Sequence, residues 1–266
     1  MNSYLAAAVQ MNSTPDLDAN LTQAKDLVAE AAGLHASLIA LPENFSFLGP
    51  EKEKVDRGEE IARRSLEFLI SSARQHGAVI LGGSFPAPAT GGKTWNRSVL
   101  TGPKGALATY DKIHLFDVEL PGQTLRESDT VEAGSEPALH ASEEFGVLGM
   151  SICYDVRFPE QYRTLSNRGA EILFIPAAFT KYTGQHHWDL LVRARSVENT
   201  CYAIAPAQCG HHFGKRESYG HSLIVDPWGT ILAEARDEPA VISAEIDPKR
   251  IRDVRKQIPS LQHRKM

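Results

Sequence analysis

Short apolar runs alternate with longer amphipathic stretches along the whole chain, and this alternation restricts its fold more than any other feature. Tyr4–Met11 reads as a buried strand. A helix capped by Asp18 follows, with Leu21, Ala24, Val28, Ala31 and Ala32 on one face and Gly33 at its end. Ser37–Leu41 is the next strand, stopped by Pro42, and Glu59–His76 is a helix ended by Gly77. Ala78–Phe85 and Thr94–Thr101 read as strands, and the turn Gly102-Pro103-Lys104-Gly105 folds the second onto Ala106–Asp111 as a hairpin. The second half repeats the scheme. Phe145–Ile152 and Glu171–Ile175 are strands, Pro159–Arg168 a helix opened by proline, and Gln185–Asn199 a helix with His187, Leu190, Leu191, Ala194 and Val197 on one face. Tyr202–Ala207, Ser218–Val225, Thr230–Glu234 and Ala240–Ile246 are strands, with Asp226-Pro227-Trp228-Gly229 as a turn. Such an order of β-α-β units and hairpins predicts an α/β domain with mixed sheets, two of them face to face and helices outside. No linker or low-complexity run divides it, so residues 1–266 are expected to form a single domain, with a core over about 4–247 and a C-terminal segment 248–266.

Composition narrows the function classes. A net charge of −5 with mixed signs offers no clustered basic surface for nucleic acid, and the basic stretch Lys249–Lys265 is read as a solvated end segment. Runs such as Val147–Ile152 and Ile172–Phe179 fall far below the ~20 apolar residues that span a bilayer, and the N-terminus lacks the pattern of a signal peptide. A cytoplasmic protein with no membrane partner is expected. Its three cysteines, Cys153, Cys201 and Cys209, are odd in number and widely spaced, which suits free thiols in a reducing compartment. His186, His187, His211 and His212 lack carboxylate or cysteine companions at zinc spacing, so no metal is expected.

Three chemically capable residues stand where strands end. Glu43 follows Leu38–Pro42, Lys112 follows Ala106–Asp111, and Cys153 follows Val147–Ile152. Each alone reads as a loop carboxylate, a solvated lysine or an inert core thiol. Together they supply a base, a cation for an oxyanion and a nucleophile. Glu43, enclosed by Leu41, Pro42, Phe45 and Phe47, is expected to have a raised pKa suited to proton shuttling.

Leu41-Pro42-Glu43-Asn44, Asp111-Lys112-Ile113-His114-Leu115-Phe116-Asp117 and Ile152-Cys153-Tyr154-Asp155-Val156-Arg157-Phe158-Pro159-Glu160 resemble the three signature blocks of the nitrilase superfamily, in order, across nearly the whole chain. That resemblance implies a four-layer α-β-β-α sandwich, a homodimer joined through helical layers, and a carbon–nitrogen hydrolase with a Glu43–Lys112–Cys153 triad and no cofactor. It also implies a second acidic residue between the lysine and the cysteine. Glu127 matches best, with Glu119 and Glu132 as neighbours, and it would orient Lys112 or the leaving group. In the implied reaction the Tyr154 backbone N–H and Lys112 hold the oxyanion, and the amide passes through a thioester on Cys153.

The substrate is harder to read. Arg157, four residues past the cysteine, is a candidate for gripping a carboxylate, unless it pairs with Asp155 or Glu160, and Thr183 is a candidate hydrogen-bond donor. The cysteine block, Gly220-His221-Ser222 and Asp226-Pro227-Trp228-Gly229 resemble one branch of the superfamily. One member of that branch is a metabolite-repair amidase that splits a 2-oxoglutaramyl amide into 2-oxoglutarate and cysteinylglycine. The other, omega-amidase, converts 2-oxoglutaramate or 2-oxosuccinamate to the oxo acid and ammonia. The stretch Ala207–Ser222 is more similar to the peptide-releasing member, and its Lys215 and Arg216 suit the distant carboxylate of a peptide, which ammonia lacks. A non-enzymatic binding protein on the same scaffold is the reading outside catalysis.

Overall fold

The alternation of side chains along the strands sets the layer structure. In β1 (Tyr4–Gln10), Ala6 and Ala8 join one hydrophobic core while Ala7 and Val9 join another. The same division holds in β2 (Leu38–Ala40), where Leu38 and Ala40 oppose Ile39, and in β3 (Val79–Leu81), where Leu81 opposes Ile80. A sheet that is apolar on both faces must be covered on both. One core is closed by helices α1 (Leu17–Gly33) and, beyond the short α2 (Glu51–Asp56), α3 (Gly58–His76), through Val28, Ala31, Ile61 and Leu69. The other lies between this sheet and a second one.

The remaining strands follow in chain order. They are β4 (Phe85–Pro88), β5 (Thr94–Gly102), β6 (Gly105–Asp111), β7 (Asp117–Leu120), β8 (Gln123–Arg126), β9 (Val131–Glu132), β10 (Leu139–Ser142) and β11 (Gly146–Met150). After them come β12 (Ile172–Phe174), β13 (Tyr202–Ala205), β14 (Cys209–Phe213), β15 (Arg216–Tyr219), β16 (Leu223–Val225), β17 (Ile231–Glu234) and β18 (Ala240–Ile246). The first sheet runs β18-β1-β2-β3-β5-β4, with β6 and β9 also on β5; the second runs β10-β11-β12-β13-β16-β17. Leu148, Met150, Phe174 and Ile204 of the second sheet share a core with Leu38, Leu81 and Leu100 of the first. The outer side of the second sheet carries α4 (Pro159–Asn167) and α5 (Lys181–Asn199) through Tyr162, Leu165, Trp188 and Val192. The order of layers is helix, sheet, sheet, helix, the expected four-layer α-β-β-α sandwich. The computed structural model describes residues 2–121 and 123–265; Met1, Gly122 and Met266 lie outside the described residues. Among the described residues, no helix is long and apolar enough to cross a membrane.

Several local expectations are corrected. The N-cap of α1 is Asp16, whose carboxylate accepts from the Ala19 N–H at 3.0 Å, while Asp18 lies in the first turn. Helix α5 buries Trp188, Val192, Ser196 and Asn199; of the expected face, Leu191 packs on the core but Leu190 is 65% exposed and Val197 48%, so that face is turned largely outward. The helix starts four residues earlier than its apolar pattern suggests, and Trp188, which donates from Nε1 to the His221 carbonyl, sets its rotation. Ser218–Val225 divides at Gly220, whose φ of 79° ends β15. The basic C-terminal stretch is not wholly solvated. Residues Pro248–Gln257 form α6, which buries Ile251 and Val254, and Arg255 donates to the Ala170 carbonyl at 2.8 Å.

Ala78–Phe85 is likewise two strands, because the chain turns at Gly82-Gly83. There Gly83 (φ +23°) packs so closely on the preceding loop that a Cβ would stand 1.9 Å from the Pro42 carbonyl oxygen and 2.3 Å from that of Leu41. Ser84 completes the support, accepting from the Asn44 N–H at 3.0 Å and donating its own N–H to the Pro42 carbonyl. These contacts flank Glu43. Gly83→Ala is therefore expected to cost about 3 kcal/mol of stability in urea titration and to impair whatever chemistry depends on Glu43.

Candidate active site

Strand direction brings the candidate residues to one rim. β2, β11 and β12 are internal parallel strands, and β6 reaches the same edge because β5 is antiparallel to both β3 and β6. Glu43, Lys112 and Cys153 each follow the C-terminal end of such a strand, and Asn96 lies near the opposite, N-terminal end of β5. Lys112 is the centre of the cluster. Its Nζ donates to Glu43 Oε1 at 3.0 Å and to Glu127 Oε2 at 2.8 Å. Asn96 Nδ2 donates to the same two carboxylates, at 2.9 and 3.0 Å. Glu43 Oε2 accepts from the Ala178 N–H at 2.7 Å, and Glu127 Oε2 from the Phe116 N–H at 2.7 Å. The Cys153 thiol lies beside the Glu43 carboxylate, and each shifts the other's proton affinity. Of the three acidic candidates only Glu127 joins the cluster: Glu119 pairs with Arg126, and Glu132 accepts from Thr90.

Cys153 opens a 3-10 turn with φ +47°, a left-handed conformation that costs a non-glycine residue about 1–3 kcal/mol. Its N–H donates to the Pro176 carbonyl at 2.8 Å, which ties it to the loop after β12. Asp155 supplies the other restraint. Buried completely, it accepts from the Ile152 N–H at 2.8 Å, the Tyr110 hydroxyl at 2.7 Å and the His114 N–H at 3.1 Å, with His114 Nδ1 at 2.8 Å. Asp155 thus fastens the cysteine turn to the lysine loop and is not a partner of Arg157.

The electrostatics overturn the expectation of a raised Glu43. Burial pushes its carboxyl up, but the Lys112 ammonium, the Cys153 thiol and the Ala178 N–H together outweigh burial and hold it below the ordinary range, at about 2. Lys112 shows the converse balance: burial pushes it down, while the charges of Glu127 and Glu43 hold it well above its ordinary value. Burial, then the Glu43 charge, pushes the Cys153 thiol well above the ordinary range, against the pull of Lys112. At rest the cluster holds a neutral thiol beside an ionised base. Two outcomes follow. Alkylation of Cys153 by iodoacetamide should show no thiolate inflection between about pH 5 and 8. Because the Glu43 carboxyl is lower folded than unfolded, its share of stability is fully present above its unfolded pKa and is lost as pH falls towards about 2, measurable by urea titration in acid.

Cys153 borders two chambers. The larger has a volume of about 230 Å³, and besides Glu43, Lys112, Glu127 and Cys153 its walls carry Lys54, Glu51, Arg126, Lys215 and Arg216. The smaller, about 10 Å³, has room for a single water and is walled by Phe116, Tyr154, Ala178, Phe179, Thr180 and Thr183. Thr183 therefore reaches the reactive region, with its hydroxyl 2.8 Å from that of Thr180. Arg157 borders neither chamber. It lies over the Tyr154 and Phe179 rings, 5.9 and 5.2 Å from their centroids, with Nη2 3.2 Å from His187 Nδ1. Sequence reading missed Asn96, Glu51 and Lys54. For Asn96 a signal existed, since Thr94, Asn96 and Ser98 put a polar row on a buried strand face.

The model of the family described as carbon-nitrogen hydrolase matches residues 5–256 of this chain. The chain belongs to the carbon–nitrogen hydrolase family. It is 52% identical over 99% of both chains to the deaminated glutathione amidase of Synechocystis. Among solved structures, all of the chain superposes on 66% of the Caenorhabditis elegans NitFhit protein at 37% identity and a TM-score of 0.94. Saccharomyces cerevisiae Nit3, a member of branch 10 of the nitrilase superfamily, matches 97% of the chain and 95% of its own at 30% identity and a TM-score of 0.86. For a carbon–nitrogen hydrolase, the buried cluster at the strand ends is the natural place for the chemistry.

Proposed function

We propose that this hydrolase is an amidase that cleaves deaminated glutathione to 2-oxoglutarate and cysteinylglycine, using Cys153 as nucleophile. The observation that carries the substrate is charge. The larger chamber is lined by five cations, Lys54, Lys112, Arg126, Lys215 and Arg216, against three carboxylates, Glu43, Glu51 and Glu127. Deaminated glutathione bears one carboxylate on each side of its scissile amide and matches that surplus of two positive charges. The name of the Synechocystis relative supports the same substrate.

In this mechanism Glu43 takes the Cys153 proton as sulfur attacks the amide carbonyl. Lys112 and the Tyr154 N–H hold the oxyanion. As the tetrahedral adduct collapses, the C–N bond breaks and Glu43 returns the proton to the departing nitrogen. Water then gives a proton to Glu43 and attacks the thioester; the C–S bond breaks, the acid leaves, and the thiol is restored. Glu127 fixes the Lys112 ammonium in place. Thr183 borders the small chamber beside Cys153, whereas Arg157 reaches neither chamber and is given no contact with the substrate. The residues need no cofactor for these steps.

We further place the protein in the cytoplasm, which suits its three free thiols, and assign it as a homodimer. Exposed Val197, Trp228 and Ile258 wall a common apolar cleft beside α5 and α6, and Leu190 projects nearby on α5; such surface supports pairing through the helical layers. Sedimentation would read the dimer. Side-by-side turnover of deaminated glutathione, 2-oxoglutaramate and a simple nitrile tests the function. Preference for the first supports it; preference for 2-oxoglutaramate makes the protein an omega-amidase instead.

A further inference from the structure

We propose that Lys54, held by Glu51, binds the carboxylate of the departing peptide and so selects amides whose leaving group is anionic. This rests on the function proposed above and assigns it a subsite. Lys54 is only 8% exposed, rare for a lysine, although it sits on the short surface helix α2. Its ammonium donates to Glu51 Oε1 at 2.8 Å and borders the larger chamber. Glu51 is its one acceptor among the described residues, so two of its three N–H donors are left for another partner.

Glu51 fixes the geometry. Its second oxygen accepts from the Thr130 hydroxyl at 3.1 Å, and the Thr130 N–H donates to the Glu127 carbonyl at 3.2 Å. The pair is thus tied to the turn that carries Glu127, at a fixed offset from the reacting cluster. Arg216 also lines the chamber, with Nη2 3.1 Å from the carbonyl of Ala178, the residue whose N–H holds Glu43. The small chamber beside Cys153 holds a single water, too little for either half of the substrate, so the peptide half lies in the larger one, where Lys54 is. A purely structural i,i+3 helix pair would make no contact with substrate, and the substrate comparison separates the two roles.

The test compares the 2-oxoglutaramyl amide of cysteinylglycine with the same compound ending in glycinamide, which lacks the leaving-group carboxylate, and with 2-oxoglutaramate, which releases ammonia. In the wild type the acid should be favoured over the glycinamide by about ten- to a hundredfold in kcat/KM, the effect of one charge-assisted contact. Lys54→Met should bring that ratio close to one, and Lys54→Arg should preserve the preference. Because Lys54→Met strands a carboxylate, Glu51→Gln/Lys54→Met is the folding control, and it should show the same lost preference. An acid-to-glycinamide ratio unchanged in the folded variants overturns the subsite and leaves the amidase reading intact. A wild type that ignores both peptide amides overturns the substrate reading itself, and the subsite with it.

Discussion

Cys153→Ala should turn over no measurable amide, a loss of about 10⁵-fold or more, while keeping its fold. In the proposed mechanism the sulfur forms the acyl bond, while Glu43, Lys112 and Glu127 move a proton or hold charge around it. The fold should survive because alanine removes a single buried atom and leaves the φ +47° turn fastened by the Pro176 carbonyl and by Asp155. The expected stability change is about 1 kcal/mol, near that of a small core truncation. Substrate should still bind, since the cationic wall is untouched. A variant with unchanged urea midpoint, retained ligand affinity and no turnover is the pattern to look for. Residual activity within about tenfold of wild type would mean that another group attacks the carbonyl.

Lys112→Met should damage both rate and stability. Methionine matches the length of the lysine stem, so packing is nearly preserved, but two carboxylates lose the ammonium between them. Lys112 is 1% exposed, with Glu43 Oε1 at 3.0 Å and Glu127 Oε2 at 2.8 Å. Removing one member of such a buried network typically costs about 3–5 kcal/mol, because the stranded charges stay out of water. Loss of an oxyanion donor adds roughly two to three powers of ten in rate. The Glu43 carboxyl should also rise, since burial is no longer countered by its strongest opponent. These effects separate in Lys112→Met/Glu127→Gln. Neutralising Glu127 should recover part of the stability in urea titration and none of the activity. Recovery of activity would assign Lys112 a purely structural place.

The sequence displays the parts of this site better than their wiring. Glu43 and Cys153 are legible because each follows a buried apolar strand, and buried strands in α/β layers end on a common rim; Lys112 follows a largely exposed hairpin strand that reaches the same rim. Their charge states are not legible. From its neighbours Leu41, Pro42, Phe45 and Phe47, Glu43 looks like a desolvated acid; only contact with Lys112, 69 positions away, and with Ala178 N–H, 135 positions away, turns the shift downward. Asn96 escapes notice for a related reason: a polar side chain inside a strand looks like a weak strand until the layer beneath it is known. Lys54 and Glu51 lie on a six-residue helix, too short to show periodicity. The outward turn of Leu190 and Val197 on α5 shows the limit of reading faces from apolar spacing, because an apolar stripe can face a partner as well as a core.

The proposed mechanism requires sulfur to become bonded to the acyl group. Intact-protein mass spectrometry after brief mixing with deaminated glutathione and acid quenching tests this directly. The expected result is a mass increase equal to one 2-oxoglutaryl group, mapped by peptide digestion to Cys153 and absent in Cys153→Ala. Steady turnover with no such adduct at any quench time, together with an active Cys153→Ala, would contradict it.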